Sequence, residues 1–201
     1  MANTFAPQGA LPYEGADGAA PTYGMRNRLI LYSDTTKIFR GDLVMQDAGG
    51  YIQQWDPTTG VSQAAGVFWG CKYYSVSQQQ TTFSKYWPGA DVATNAVVTA
   101  YVIPINTAVP PMFVIQTSNS SIDAVAVTQA SVGQTADVAM GAGNTASGMS
   151  TMYLDINTFG TQATKPFRII EILPSAGQTN DATSAYNKVL VQANIYQETG
   201  I

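Results

Sequence analysis

The residue types that carry most enzyme chemistry are sparse in this chain. It has no histidine, so nothing that rests on an imidazole is available: no Ser-His-Asp or Cys-His nucleophile, no histidine base and no histidine metal ligand. Cys71 is the one cysteine, which excludes an internal disulfide framework and a cysteine zinc site. Carboxylates are the remaining catalytic material. Thirteen are present, and a glycoside hydrolase needs only a facing pair across a cleft. Here they are scattered singly, most of them beside turn residues, and nothing selects a pair. No enzyme, metal or cofactor is expected.

Short motifs with the look of sites each have a simpler reading. Gly143-Asn144-Thr145-Ala146-Ser147-Gly148-Met149-Ser150 has the spacing of a phosphate-binding loop. Met149, however, stands where the phosphate-meeting lysine belongs, and no helix-forming sequence follows. A glycine-rich loop between strands accounts for it. Asp155-Ile156-Asn157-Thr158-Phe159-Gly160 begins like a calcium loop but puts Phe159 at a ligand position and Pro166 where a bidentate glutamate is needed. It reads as a turn in which Asp155 and Asn157 bond local backbone. Arg40-Gly41-Asp42 matches an adhesion tripeptide, but Phe39 and Leu43 on either side make it a strand entering the core. Lys72 and Lys85 lie near Tyr73, Tyr74, Tyr86 and Trp87, a pattern that could stack on single-stranded nucleic acid. Those lysines make too small a patch in an acidic chain, and the rings read as core or interface.

The whole-chain balance points the same way. Of 201 residues only 11% are charged, against roughly 25% in an average domain, and 45% are hydrophobic. Small polar residues fill the difference. A net charge of −4 with nine cations argues against an electrostatic grip on nucleic acid or an anionic membrane. No apolar run approaches the roughly 18 residues of a membrane span. The first cation is Arg26, and the sequence ahead of it has no apolar run of the secretory kind. The single thiol suits assembly in a reducing cytoplasm.

The elements that would position these residues are strands. Arg26–Ser33, Leu43–Gln46, Tyr51–Trp55, Gly66–Tyr74, Val97–Ile103, Met112–Gln116, Phe167–Leu173 and Val189–Tyr196 carry β-branched and aromatic residues bounded by glycine or proline. Asp47-Ala48-Gly49-Gly50 is a hairpin turn between two of them. Ser121–Ala130 fits a short helix or a strand equally well. Residues 1–25 differ: Pro7, Pro12 and Pro21 with several glycines oppose both helix and strand. Such a segment reads either as a disordered terminus or, with its aromatics as anchors, as an extended N-terminal arm that becomes ordered on a neighbouring subunit; the arm is the expectation. Its candidate contacts are Phe5, Pro7, Leu11, Pro12, Tyr13 and Tyr23. Residues 26–201 would then form one all-β domain, a jelly roll or related β-sandwich or barrel.

Several segments resemble head decoration (cement) proteins of tailed bacteriophages. They are Ile38-Phe39-Arg40-Gly41-Asp42-Leu43-Val44, Gly50-Tyr51-Ile52, Ala65-Gly66-Val67-Phe68-Trp69-Gly70-Cys71-Lys72-Tyr73 and Phe83-Ser84-Lys85-Tyr86-Trp87-Pro88 in the first half. Ala142 to Ser150, Leu154-Asp155 and Pro166-Phe167-Arg168-Ile169-Ile170 follow in the second. The similarity covers roughly Ile38 to Leu173 and leaves the first 25 residues unmatched. It implies an all-β homo-oligomer, dimer or trimer, on the outer surface of an icosahedral head, spanning copies of the major capsid protein. Competing readings are a carbohydrate- or receptor-binding β-sandwich of a tail or fibre, with exposed Trp55, Trp69 and Trp87 as stacking platforms, and a carboxylate-dependent hydrolase.

Overall fold

The computed structural model describes residues 2–15, 17–18, 20, 24–56, 64–105, 107, 109–119, 125–162, 164–173 and 183–194. Those residues are nearly all β, in a seven-stranded sheet, a six-stranded sheet and a two-stranded pair that together make a nearly closed barrel-like sheet and sandwich-like layers. The larger runs in the order β11 (Thr135–Ala136), β14 (Phe167–Ile172), β15 (Lys188–Ala193), β10 (Pro111–Ser118), β13 (Tyr153–Asp155), β12 (Val138–Ala139). Because β11 and β12 are one stretch interrupted only at Asp137, the sheet returns on itself. Phe113, Ile115, Leu154, Phe167, Ile169, Val189 and Val191 fill its core, with the rings of Phe113 and Phe167 edge to face at 6.2 Å.

The smaller sheet runs β2 (Arg26–Ile30), β9 (Val98–Pro104), β6 (Ala64–Ser75), β4 (Leu43–Gln46), β5 (Ile52–Gln54), and β7 (Gln80–Ser84) adds to β6. Its ends β2 and β5 approach one another, so this sheet also curls. Bulges between Val44 and Met45 and between Phe68 and Gly70 supply the bend. The β3 (Ile38–Phe39) and β8 (Tyr86–Trp87) pair packs Ile38 and Trp87 into its interior.

The two cores share strands. Val44, Phe68 and Val102 point into the small barrel, while Leu43, Val67 and Ile103 point into the large one. Successive residues of one strand therefore serve opposite cores, as the period of two requires.

The Asp47–Gly50 turn joins β4 to β5 as expected: the Asp47 N–H donates to the Tyr51 carbonyl at 2.8 Å, and Gly50 sits at φ +85°. Of Ser121–Ala130, residues 121–124 lie outside the described ones. The helix or strand expected over that stretch is not seen in its described part: residues 125–128 are irregular, and Gln129–Ser131 is one 3-10 turn.

The N-terminal segment departs from expectation in forming a strand. Residues 2–10 have no regular secondary structure and lie against this chain's own large barrel. The strand, β1 (Leu11–Gly15), forms despite Pro12. It pairs antiparallel with the first half of β10, on the edge opposite β15. Pro12 is tolerated because β1 is an edge strand, and a register shift between Pro12 and Glu14 turns Tyr13 out to solvent. Further back, Ala10 is fully buried in the larger core, and the Gly9 N–H donates to the Met152 carbonyl at 3.2 Å. A Cβ on Gly9 would lie 2.4 Å from the Gly41 carbonyl oxygen, so the segment crosses Gly41 in backbone contact that only glycine permits.

Candidate interaction surface

The motif residues resolve into structural roles. Asp42 of the Arg40-Gly41-Asp42 tripeptide is 1% exposed. Its carboxylate accepts from the Phe39 N–H at 2.8 Å, from Gln54 Nε2 at 3.0 Å and from the Ser150 hydroxyl. Burial holds this carboxyl above its ordinary range, and those hydrogen bonds oppose the shift. A carboxylate enclosed in this way joins the two barrels and is not available for adhesion. Arg40 lies with its guanidinium carbon 3.6 Å from the centre of the Trp69 ring, a cation–π contact.

The Gly143–Ser150 loop is the other half of that junction. Asn144 closes the turn: its side chain accepts from the N–H groups of Ala146 and Ser147, and its carbonyl accepts from Gly148. The Gly148 carbonyl then accepts from the Arg40 N–H, and the Ser150 N–H donates to the Arg40 carbonyl. Gly143, at φ +69°, lies against the Phe39 ring so closely that a Cβ would come within 2.2 Å of it. The loop's glycines thus serve contact between lobes. At Asp155 the carboxylate accepts from the Asn157 N–H at 3.0 Å, the local turn expected from sequence. Cys71 is buried, and desolvation pushes its thiol up to about 12, an inert core group. Among the described residues, histidine, cysteine and carboxylates form no group able to hold a metal ion, and no helix is long and apolar enough to cross a membrane.

The tryptophans do not form the exposed platforms that a sugar-binding sandwich would need. Trp87 is fully buried and donates from its indole nitrogen to the Asp34 carbonyl. Trp55 is 4% exposed and donates to Asp137, while Trp69 is half-buried beneath Arg40. Aromatic size placed them in cores, where a large ring gains most.

The expected arm contacts behave individually. Phe5 packs edge-on against Tyr153 at 5.6 Å and tilted against Tyr186 at 5.3 Å. Pro7, Leu11 and Pro12 are half-buried along the large barrel, and Tyr13 points out. Tyr23 lies outside the described residues. Gln116 on β10 clamps the segment: its carbonyl oxygen accepts from the Ala6 N–H, and its amide donates to the carbonyls of Thr4 and Tyr186.

Residue types alone do not disclose an apolar face on the small barrel. Leu29, Thr99, Lys72 and Phe83 stand in register across β2, β9, β6 and β7. Their neighbours in each strand, such as Ile30, Val98, Cys71 and Tyr73, point into the small core, so this row points outward. Phe83 and Val97 are each 70% exposed, Tyr74 51% and Leu29 46%. Lys72 lies amid them with its ammonium 5.6 Å from the Phe83 ring centre. The alternation of Cys71 and Tyr73 with Lys72 and Tyr74 was the available signal. It marks which side is outward but not that the outward side is apolar across strands. A cluster of this kind is the usual mark of a contact surface.

Compared with family models, curated proteins and solved structures, the chain matches none.

Proposed function

We propose that this chain is a structural binding protein that decorates the outside of a tailed-phage head and stabilises contacts between major capsid protein subunits, acting as a homo-oligomer assembled in the host cytoplasm. The observation that carries the reading is the exposed apolar row Leu29, Tyr74, Phe83 and Val97 around the single cation Lys72. Burying side chains as open as Phe83 and Val97 against a partner contributes about 1–2 kcal/mol each. A patch this small binds weakly alone, since a standard interface takes about 800 Å² from each partner. Repeated over a lattice and joined within an oligomer, such contacts multiply through effective concentration. A protein that binds only the closed shell then shifts the shell toward closure. A chain without histidine, with one buried thiol and with its motif residues spent on internal contacts suits that role.

The test is co-sedimentation of the purified chain with heads that lack it. Wild type should pellet with the heads in a saturable ratio to capsid protein. Phe83→Asp combined with Val97→Asp should lose at least tenfold in affinity while melting at the wild-type temperature. Equal binding by the double variant would remove the face from the proposal, and no binding by wild type would remove the function.

A further inference from the structure

The smaller sheet has an edge that lacks the usual protection. Among the described residues β7 pairs only with β6, leaving its outer row of backbone N–H and C=O groups facing away from the sheet. Other edges of this chain carry the devices that keep strands from pairing by accident. β1 has Pro12, Glu14 and a bulge; β2 carries Arg26 and Arg28 and curls toward β5. β7 has none of these. Ser77-Gln78-Gln79-Gln80-Thr81-Thr82-Phe83-Ser84 contains no charge and no proline, and its register with β6 runs unbroken from Gln80 to Ser84. Its bulkiest residue, Phe83, is 70% exposed.

We infer that β7 is the homo-oligomer contact, pairing antiparallel with β7 of a second copy across a two-fold axis at Thr82. This rests on the shell reading for its use, though not for its test. Centring on Thr82 follows from the strand itself, which extends equally to either side. Thr81 then faces the partner's Phe83, and Gln80 faces the partner's Ser84, so every cross-strand pair is uncharged and each phenyl ring lies beside a β-branched threonine. The nearest charges are Lys72, one strand further in, and Lys85, one residue past the end of β7 and facing the partner's Gln79. Across the axis each lies at least about 14 Å from its counterpart, more than the screening length of about 8 Å at physiological salt. An isologous strand pair satisfies the open backbone groups of both edges at once, which a one-sided partner does only if it brings its own open edge. The paired sheets would also join their apolar rows into one wider surface.

So short a strand buries well under the roughly 800 Å² per partner of a stable interface. The dimer should therefore be concentration-dependent, with dissociation in the micromolar range. Sedimentation velocity on the full chain, over a concentration series and with no shell present, should show monomer giving way to dimer. Thr81→Lys places a charge on an exposed edge position and should weaken the dimer at least tenfold. An independent arm uses cysteine. Because Cys71 is buried, Thr82→Cys provides the reactive thiol at the axis and should yield a disulfide-linked dimer on mild oxidation, as facing residues of antiparallel strands bring Cα atoms to about 5 Å. Val97→Cys, exposed but off the edge, should not cross-link. If Thr81→Lys fails to fold, the cysteine pair decides. A chain that stays monomeric throughout overturns the inference. So does a dimer that ignores Thr81→Lys and leaves Thr82→Cys unlinked. Loss of self-association with shell binding retained would separate the failure of this inference from failure of the shell reading.

Discussion

Replacing Asp42 tests whether the junction between the barrels is held by a hydrogen-bonded carboxylate. Asp42→Ala leaves the Phe39 N–H and the Ser150 hydroxyl, both on buried residues, without their acceptor, whereas half-buried Gln54 can turn toward water. Each buried orphan costs about 1–3 kcal/mol, so the loss should be about 2–6 kcal/mol. Asp42→Asn keeps an oxygen for Phe39 and Gln54 and presents an amide that donates to Ser150, so its cost should stay near 1 kcal/mol. In a domain of this size that is a fall in Tm of about 5–15 °C for alanine and only a few degrees for asparagine. The pH dependence carries a sign. Burial raises the folded carboxyl above its unfolded value of about 3.9. Its contribution is therefore complete below that value and declines as pH rises through the folded pKa, because folding disfavours the ionised form. Measured against Asp42→Asn, which cannot ionise, wild type should lose relative stability from about pH 4 upward and then level off. Urea unfolding of the three proteins at several pH values reads both effects. Alanine and asparagine variants of equal stability, or a difference that ignores pH, would refute the reasoning.

The remaining expectations follow from other contacts. Gly143→Ala forces a Cβ into the buried Phe39 ring at a positive φ and should cost more than about 2 kcal/mol, while Gly133→Ala, also at positive φ but in open space, should cost about 1 kcal/mol; thermal melts compare them. Deleting residues 2–10 removes Ala10 from the larger core and the Ala6 and Thr4 partners of Gln116, so Tm should fall sharply, whereas a free arm would leave it unchanged. Cys71 should ignore a thiol reagent at pH 8 until denaturant is added, and rapid labelling of the native protein would contradict its burial.

How much could be read from sequence depended on whether a signal was local. The β4–β5 hairpin was legible because Asp47 to Gly50 is a turn by its own chemistry. Asp42 was legible as a core residue from Phe39 and Leu43 on either side of its tripeptide. The twin barrels were not legible, since β4 and the Gly66–Phe68 part of β6 are buried on both faces and runs such as Leu43-Val44-Met45 do not say which side meets which core. Strand β1 was missed because Pro12 opposes a strand in general, yet costs nothing on an edge. The apolar face escaped notice for a related reason: Leu29, Tyr74, Phe83 and Val97 lie far apart in sequence, and only register brings them together.

The most direct measurement of the decoration proposal is the stoichiometry of this chain in purified tailed-phage virions, by quantitative mass spectrometry against the major capsid protein. A decoration role requires a fixed small-integer ratio to capsid protein that persists in tail-free heads. A trace amount that departs with the tails, or none in intact heads, would contradict it.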